Sequence, residues 1–168
     1  DATLKQPLKP LTAKLSTAVE LTPLKLDPLP PREQLEKMAA APESYSQRWA
    51  SRVLKLPTDK PFADYPYPVQ AWTLGDSLLW ITLGGEVVVD YSLRFKGEYG
   101  YDTWVTAYAN DVMAYIPSAR IRMEGGYEGQ SSMMVYGQPA ERWASDVEDR
   151  VAAGVDRVVE RALRKTGE

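Results

Sequence analysis

The chain contains no histidine and no cysteine, and these two absences exclude more chemistry than any of its motifs supplies. Without histidine it lacks the usual base of a serine or cysteine triad and the commonest zinc ligand. Without cysteine it has no thiolate nucleophile, no sulfur ligand and no disulfide framework, which leaves its redox compartment undetermined. The titratable groups are Asp, Glu, Tyr, Lys and Arg, so a complete hydrolase of either triad type cannot be assembled from these 168 residues alone. A basic excess is missing too. With a net charge of -3, a pI near 5.2 and basic residues scattered among acids, the chain has no general attraction for phosphate backbones or anionic membranes, and nucleic acid is not an expected partner. Its longest apolar runs fall far short of the roughly 20 residues that span a bilayer. There is no internal repeat and no segment of low complexity.

What is present suits one globular domain, or a large piece of one, around a single core: 168 residues, 44% of them hydrophobic. Starting at Asp1 rather than Met, the chain reads as a trimmed or processed piece. Residues 1–30 read as an extended arm and a lead-in strand, and residues 31–168 as the body. Asp1 to Leu15 carry Lys5, Lys9 and Lys14 among prolines and small residues, without period. Ala18 to Leu26 alternate as a short strand, and their prolines argue for a sheet edge or an irregular lead-in. Pro31 fits the first position of a helix through "REQLEKMAA". Tyr45, Trp49, Val53 and Leu56 form the apolar stripe of a second helix, facing the core and closed by Pro57. "KPFADYPYP" reads as a rigid connector. "VQAWTLG" and "LLWITLG" form an antiparallel hairpin around Gly75-Asp76-Ser77, with Trp72 and Trp80 as buried packing. "EVVVDYSLRFK" fits strand by propensity and helix by spacing; helix is the expectation, because a Gly84-Gly85 turn would then set Glu86 at a helix N-terminus. "TWVTAYA" reads as a buried strand, and "DVMAYIPSARIRMEGGYEG" as a long irregular segment. Ala140 to Lys165 read as an amphipathic helix with Pro139 at its start. The fold class that follows is α+β, a mixed or antiparallel sheet with helices packed on it.

Candidate chemistry gathers between Leu83 and Gly137, where Gly84-Gly85, Gly125-Gly126 and Gly129 mark tight turns beside Glu86, Glu124, Tyr127 and Glu128. On these residues alone, Glu86 reads as a helix-capping carboxylate or as a metal ligand or base. Glu124 and Glu128 read as surface or capping groups, or as an acid/base pair for glycoside hydrolysis. Tyr115, Tyr127 and Tyr136 are three of ten tyrosines and read first as packing residues. "GGYEG" has neither the Walker nor the Rossmann pattern. Ser131 and Ser132 have no base in this chain.

The order of motifs adds a further reading. Gly-Glu before an apolar helix, a strand ending in Asn, then "YIPS", then "GGYEG" before serines and Tyr-Gly, together resemble the neutral/alkaline non-lysosomal ceramidase family. The resemblance runs from about Tyr67 to Gly137, and more loosely into the last helix. It implies the C-terminal part of a zinc-dependent catalytic domain of the bacterial type that hydrolyses the amide of a ceramide-like lipid. By that resemblance Glu86 and Tyr115 match zinc ligands, and Tyr127 matches the tyrosine that hydrogen-bonds at the reacting carbonyl. Two further histidine ligands and a serine region would come from the missing N-terminal part of the same domain, upstream of Asp1, or from another chain. A secreted or periplasmic location accords with the family. The chain departs from the family in the shorter interval between Glu86 and Tyr115, and in "VVVDYSLRF" where the family has a Thr- and Arg-rich helix. By itself this chain is expected to be inactive and to hold no zinc tightly; the alternative is a non-catalytic α+β structural or binding module that retains the fold without the site.

Overall fold

The computed structural model of the chain describes residues 5, 7, 10, 13–57 and 62–164. It is an α+β fold built on a mixed sheet in the order β1-β2-β3-β5. β1 (Leu15–Leu24) pairs antiparallel with β2 (Tyr65–Leu74), β2 antiparallel with β3 (Leu78–Leu83), and β3 parallel with β5 (Trp104–Thr106). A separate two-stranded parallel ladder joins β4 (Glu86–Val87) to β6 (Tyr115–Ile116). The helices are α1 (Arg32–Ala39), α2 (Tyr45–Val53), α3 (Val89–Tyr99), α4 (Ala119–Glu124), α5 (Ser132–Val135) and α6 (Val147–Arg164). A π-helical turn at Tyr127–Ser131 leads directly into α5.

The main core lies between one face of the sheet and α6. Val147, Val151, Val155, Val158 and Ala162 follow helical spacing and are buried against Ala18, Leu24, Val69, Ala71 and Ile81. Gly154 lets α6 sit this close: a Cβ there would lie 2.3 Å from Thr22 Oγ1. Glu20, on the same face of β1, accepts hydrogen bonds from Arg157 and Arg161 of α6. Trp49 and Val53 of α2 do not join this core. With Leu35 and Ala50 they make a satellite cluster between α1 and α2, and Tyr45 at the head of the expected stripe is exposed.

Several expected boundaries shift. The lead-in strand begins earlier, at Leu15, and is a full edge strand; most of the expected Asp1–Leu15 arm lies outside the described residues. Pro31 is the N-cap of α1 rather than its first turn. The connector ends at Tyr65, because "YPYP" is already strand. Proline is tolerated there because the Pro68 carbonyl points to the β3 side, where it accepts from Gly84 N at 3.2 Å. The nitrogens of Pro66 and Pro68 face that same side, beyond the end of the β2–β3 ladder, so no ladder bond is lost. The "TWVTAYA" strand is only Trp104–Thr106 and is not buried. The expected irregular segment contains β6 and α4. The last helix starts at Val147; residues 140–146 precede it, and Trp143 forms an isolated bridge to Leu26. Trp72 and Trp80 are only partly buried, with rings 6.3 Å apart on the sheet face that α6 does not cover.

Candidate functional site

The site is built where the chain leaves β3. Gly84 N binds the Pro68 carbonyl, and Gly85 N binds the Asp111 carbonyl at 2.7 Å. Gly85 takes φ +69°, and a Cβ on it would lie 2.6 Å from the Ala114 carbonyl oxygen. Glycine is therefore required twice at that position, for backbone sign and for space. The reward is the β4–β6 ladder: Glu86 N binds Ala114 O at 2.9 Å, and Val88 N binds Ile116 O at 3.2 Å. In this register Glu86 stands beside Tyr115 and Val87 beside Ile116. Paired residues of a ladder share a face, so Ile116 goes into the core while Glu86 and Tyr115 emerge together.

Glu86 is thus a strand residue, three positions before α3, and does not cap the helix as its sequence position suggested. Val88 is the N-cap, and the acid in the first turn is Asp90. The segment carrying Tyr115 is held from several sides. Trp143 Nε1 donates to Tyr115 O at 2.8 Å, Gln138 Nε2 to Met113 O at 2.8 Å, and Tyr91 Oη to Pro117 O at 3.0 Å. The Asp111 carboxylate accepts from the Tyr65 hydroxyl and from Val112 N.

Tyr136 Oη donates to Glu86 Oε2 at 3.3 Å, and the hydroxyls of Tyr108 and Tyr115 also bond to this carboxylate. The Tyr115 ring meets Tyr127 edge-on at 5.4 Å and Tyr136 edge-on at 6.3 Å. One carboxylate is therefore ringed by phenols, at a half-exposed surface: Tyr108, Tyr127 and Tyr136 are 55%, 44% and 37% accessible. Desolvation pushes the Glu86 carboxyl up, but the three phenol donors outweigh it and hold it below its ordinary value of 4.5. The same bond, with desolvation and the carboxylate charge behind it, raises Tyr115 well above the usual tyrosine range and Tyr108 to about 12. At neutral pH the cluster is one anion held by protonated phenols.

Of the residues singled out in the sequence, Glu86, Tyr115 and Tyr127 come together here. Glu124 and Glu128 do not join them. Glu124 is engaged by Arg120 Nη1 at 2.8 Å, and both acids are exposed. A cleft of about 260 Å³ between α2 and α5 is lined by Arg48, Arg52 and Trp49, and by neither of these acids. Tyr108 was missed. It and Asn110 hold positive φ, at 58° and 68°, and the only trace of this in "TAYAND" is the Asn that tolerates such a backbone. Tyr136 was noticed only as one tyrosine among ten.

No protein-family model, curated protein or solved structure matches this chain. Among the described residues no group of three or more His, Cys, Asp or Glu could hold a metal ion. What the structure does contain is one carboxylate and one phenol on the same face of a ladder, oxygen donors suited to part of a zinc shell but short of the four ligands zinc takes. Among the described residues no helix is long and apolar enough to cross a membrane.

Proposed function

We propose that the chain is the C-terminal part of a zinc-dependent amide hydrolase of the ceramidase type. In this reading Glu86 and Tyr115 are half of the metal's ligands, and the remaining ligands and the nucleophile region come from sequence outside these 168 residues. The observation that carries it is the pairing of Glu86 with Tyr115 across the β4–β6 ladder, two oxygen donors 29 positions apart brought to one face. Zinc held there would act as a Lewis acid and water activator. This chain's own residues would do the rest. Tyr115 must give up the phenolic proton that it now donates to Glu86 before its oxygen can serve as a ligand. Tyr108 and Tyr136 orient the Glu86 carboxylate through their hydroxyls. Tyr127, packed edge-on to Tyr115 and open to solvent, is positioned to donate to the oxygen of a reacting carbonyl.

The substrate class proposed is a lipid amide of the ceramide type. The test is an amidase assay of the full-length gene product on a fluorogenic N-acyl sphingosine analogue. Tyr127→Phe is expected to lower kcat by about 10²–10³, the loss typical of one oxyanion donor, while leaving metal content unchanged. A Tyr127→Phe enzyme with undiminished kcat would remove that role, and a full-length protein with no amidase activity would remove the reading.

A further inference from the structure

The cleft between α2 and α5 takes no part in the Glu86 cluster and has a chemistry of its own. Tyr45, Arg48, Trp49 and Arg52 recur at i, i+3, i+4 and i+7, so a single face of α2 forms one side of it. Met134, Val135 and Gly137 form the other side, and the space is about 260 Å³. Gly137 lets the two sides approach: it holds φ +81°, and a Cβ on it would lie 3.0 Å from Arg52 Nη1. The next residue anchors α2 to this segment. Gln138 O accepts from Trp49 Nε1 at 2.8 Å and from Arg52 Nη2 at 3.0 Å. That bond holds the Arg52 guanidinium at the cleft and leaves most of its N–H groups without an acceptor among the described residues.

The charge here is unbalanced. Among the described residues every arginine except Arg52 and Arg142 is ion-paired, and Arg142 gives its Nη2 to Gln130 Oε1. Arg52 therefore stands without a carboxylate in a chain whose net charge is -3. Arg48 has a weak partner: Glu43 Oε1 lies 2.9 Å from its Nη1, but both side chains are more than half exposed, and such pairs contribute little in water. No acidic residue lines the cleft. Two guanidiniums and Glu43 sum to one positive charge, set beside the exposed apolar side chains of Tyr45 and Val135.

We propose that this cleft binds a small monocarboxylate with an apolar body, the carboxylate on Arg52 and the body between Tyr45 and the Met134–Val135 side. The planar fork of a guanidinium matches a carboxylate through parallel N–H bonds. One negative charge balances the local excess, whereas a phosphate dianion would leave surplus negative charge beside Glu43. The volume lies below the roughly 300–1,000 Å³ of pockets for drug-sized ligands, which limits the body to a short chain or a single ring. Nothing in this assignment depends on the metal proposed at Glu86.

Titration of the 168-residue chain with hexanoate at fixed ionic strength, followed by the indole N–H signals in two-dimensional NMR, tests this. The Trp49 N–H shares its acceptor with Arg52 and so reports on the cleft, while the Trp143 N–H, bound to Tyr115 O, is the control. Hexanoate is expected to shift the Trp49 signal saturably and to leave Trp143 unmoved, with 1-hexanol and inorganic phosphate binding at least about tenfold more weakly. Arg52→Lys keeps the charge but loses the fork, and should weaken hexanoate about tenfold, the effect of one charge-assisted hydrogen bond. Glu43→Gln changes only an exposed side chain and keeps the test sound should Arg52→Lys disturb the bond to Gln138 O. It should tighten hexanoate by releasing Arg48, whereas Glu33→Gln, an equally exposed acid paired with Lys37, should not. A Trp49 shift that stays linear in hexanoate would overturn the proposal. So would 1-hexanol or phosphate bound as tightly as hexanoate, or equal affinities in the wild type and Glu43→Gln.

Discussion

Replacing Gly85 by alanine tests how the site is delivered, because the backbone geometry allows the cost to be worked out. At φ +69° a Cβ brings a penalty of about 1–2 kcal/mol for left-handed backbone. The added carbon would also lie 2.6 Å from Ala114 O, the acceptor of Glu86 N. Moving that carbonyl gives up a backbone hydrogen bond worth about 0.5–1.5 kcal/mol. Against this, alanine restricts the unfolded chain and returns about 0.4–1 kcal/mol. The expected net loss is about 0.5–3 kcal/mol, read in urea as a midpoint shift of roughly 1 M for an m-value near 1–3 kcal/mol/M. A Gly85→Ala loss below about 0.5 kcal/mol, the range of an ordinary surface change, would refute the reasoning.

Three further outcomes are expected. The carboxyl of Glu86 lies below its ordinary value, so its stabilising contribution is present above about pH 4.5 and is lost as pH falls through the folded-state value. The phenols are raised, Tyr108 to about 12, so their contribution is present below about pH 10 and is lost as pH rises through the folded-state values. The stability difference between wild type and Glu86→Gln should therefore be largest between these limits, and a difference that grows toward acid would contradict the cluster. Tyr136→Phe removes a donor and should raise the Glu86 pKa, observed by NMR titration of the side-chain carboxyl; an unchanged value would show that the 3.3 Å contact does not form in solution. Gly154→Ala should gain about 0.8–1 kcal/mol in helix propensity but lose about 1–3 kcal/mol by overpacking against Thr22. Thr22→Ala should relieve part of that loss in a double-mutant cycle, and strict additivity would mean that the two positions do not touch.

The parts of the fold that were legible in the sequence are those fixed by local chemistry. Gly75-Asp76-Ser77 between two β-branched and aromatic runs specified the β2–β3 hairpin, and Ser77 N closes it on Leu74 O at 3.1 Å. The valine spacing from 147 onward specified most of α6. What failed depended on contacts distant in sequence. The prolines of "YPYP" are compatible with strand only because β3 ends where their nitrogens point. Trp72 and Trp80 read as core because large aromatic residues usually are, and nothing local says which face of a sheet stays open. Glu86 was legible as a candidate from Gly84-Gly85, but its placement was not: the partner strand is two residues long, and the ladder that turns it toward Tyr115 is specified by the backbone of Ala114. Tyr108 carried no signal beyond its neighbour Asn110, since its role depends on a positive φ imposed by the turn.

Zinc stoichiometry of the full-length gene product bears most directly on the claim that Glu86 and Tyr115 are half of a coordination shell. The wild-type protein should carry one equivalent after dialysis, both Glu86→Gln and Tyr115→Phe should lose it, and Glu124→Gln, whose carboxylate is taken by Arg120, should retain it. Unchanged zinc in the first two variants would contradict the account, and so would one equivalent held tightly by these 168 residues alone.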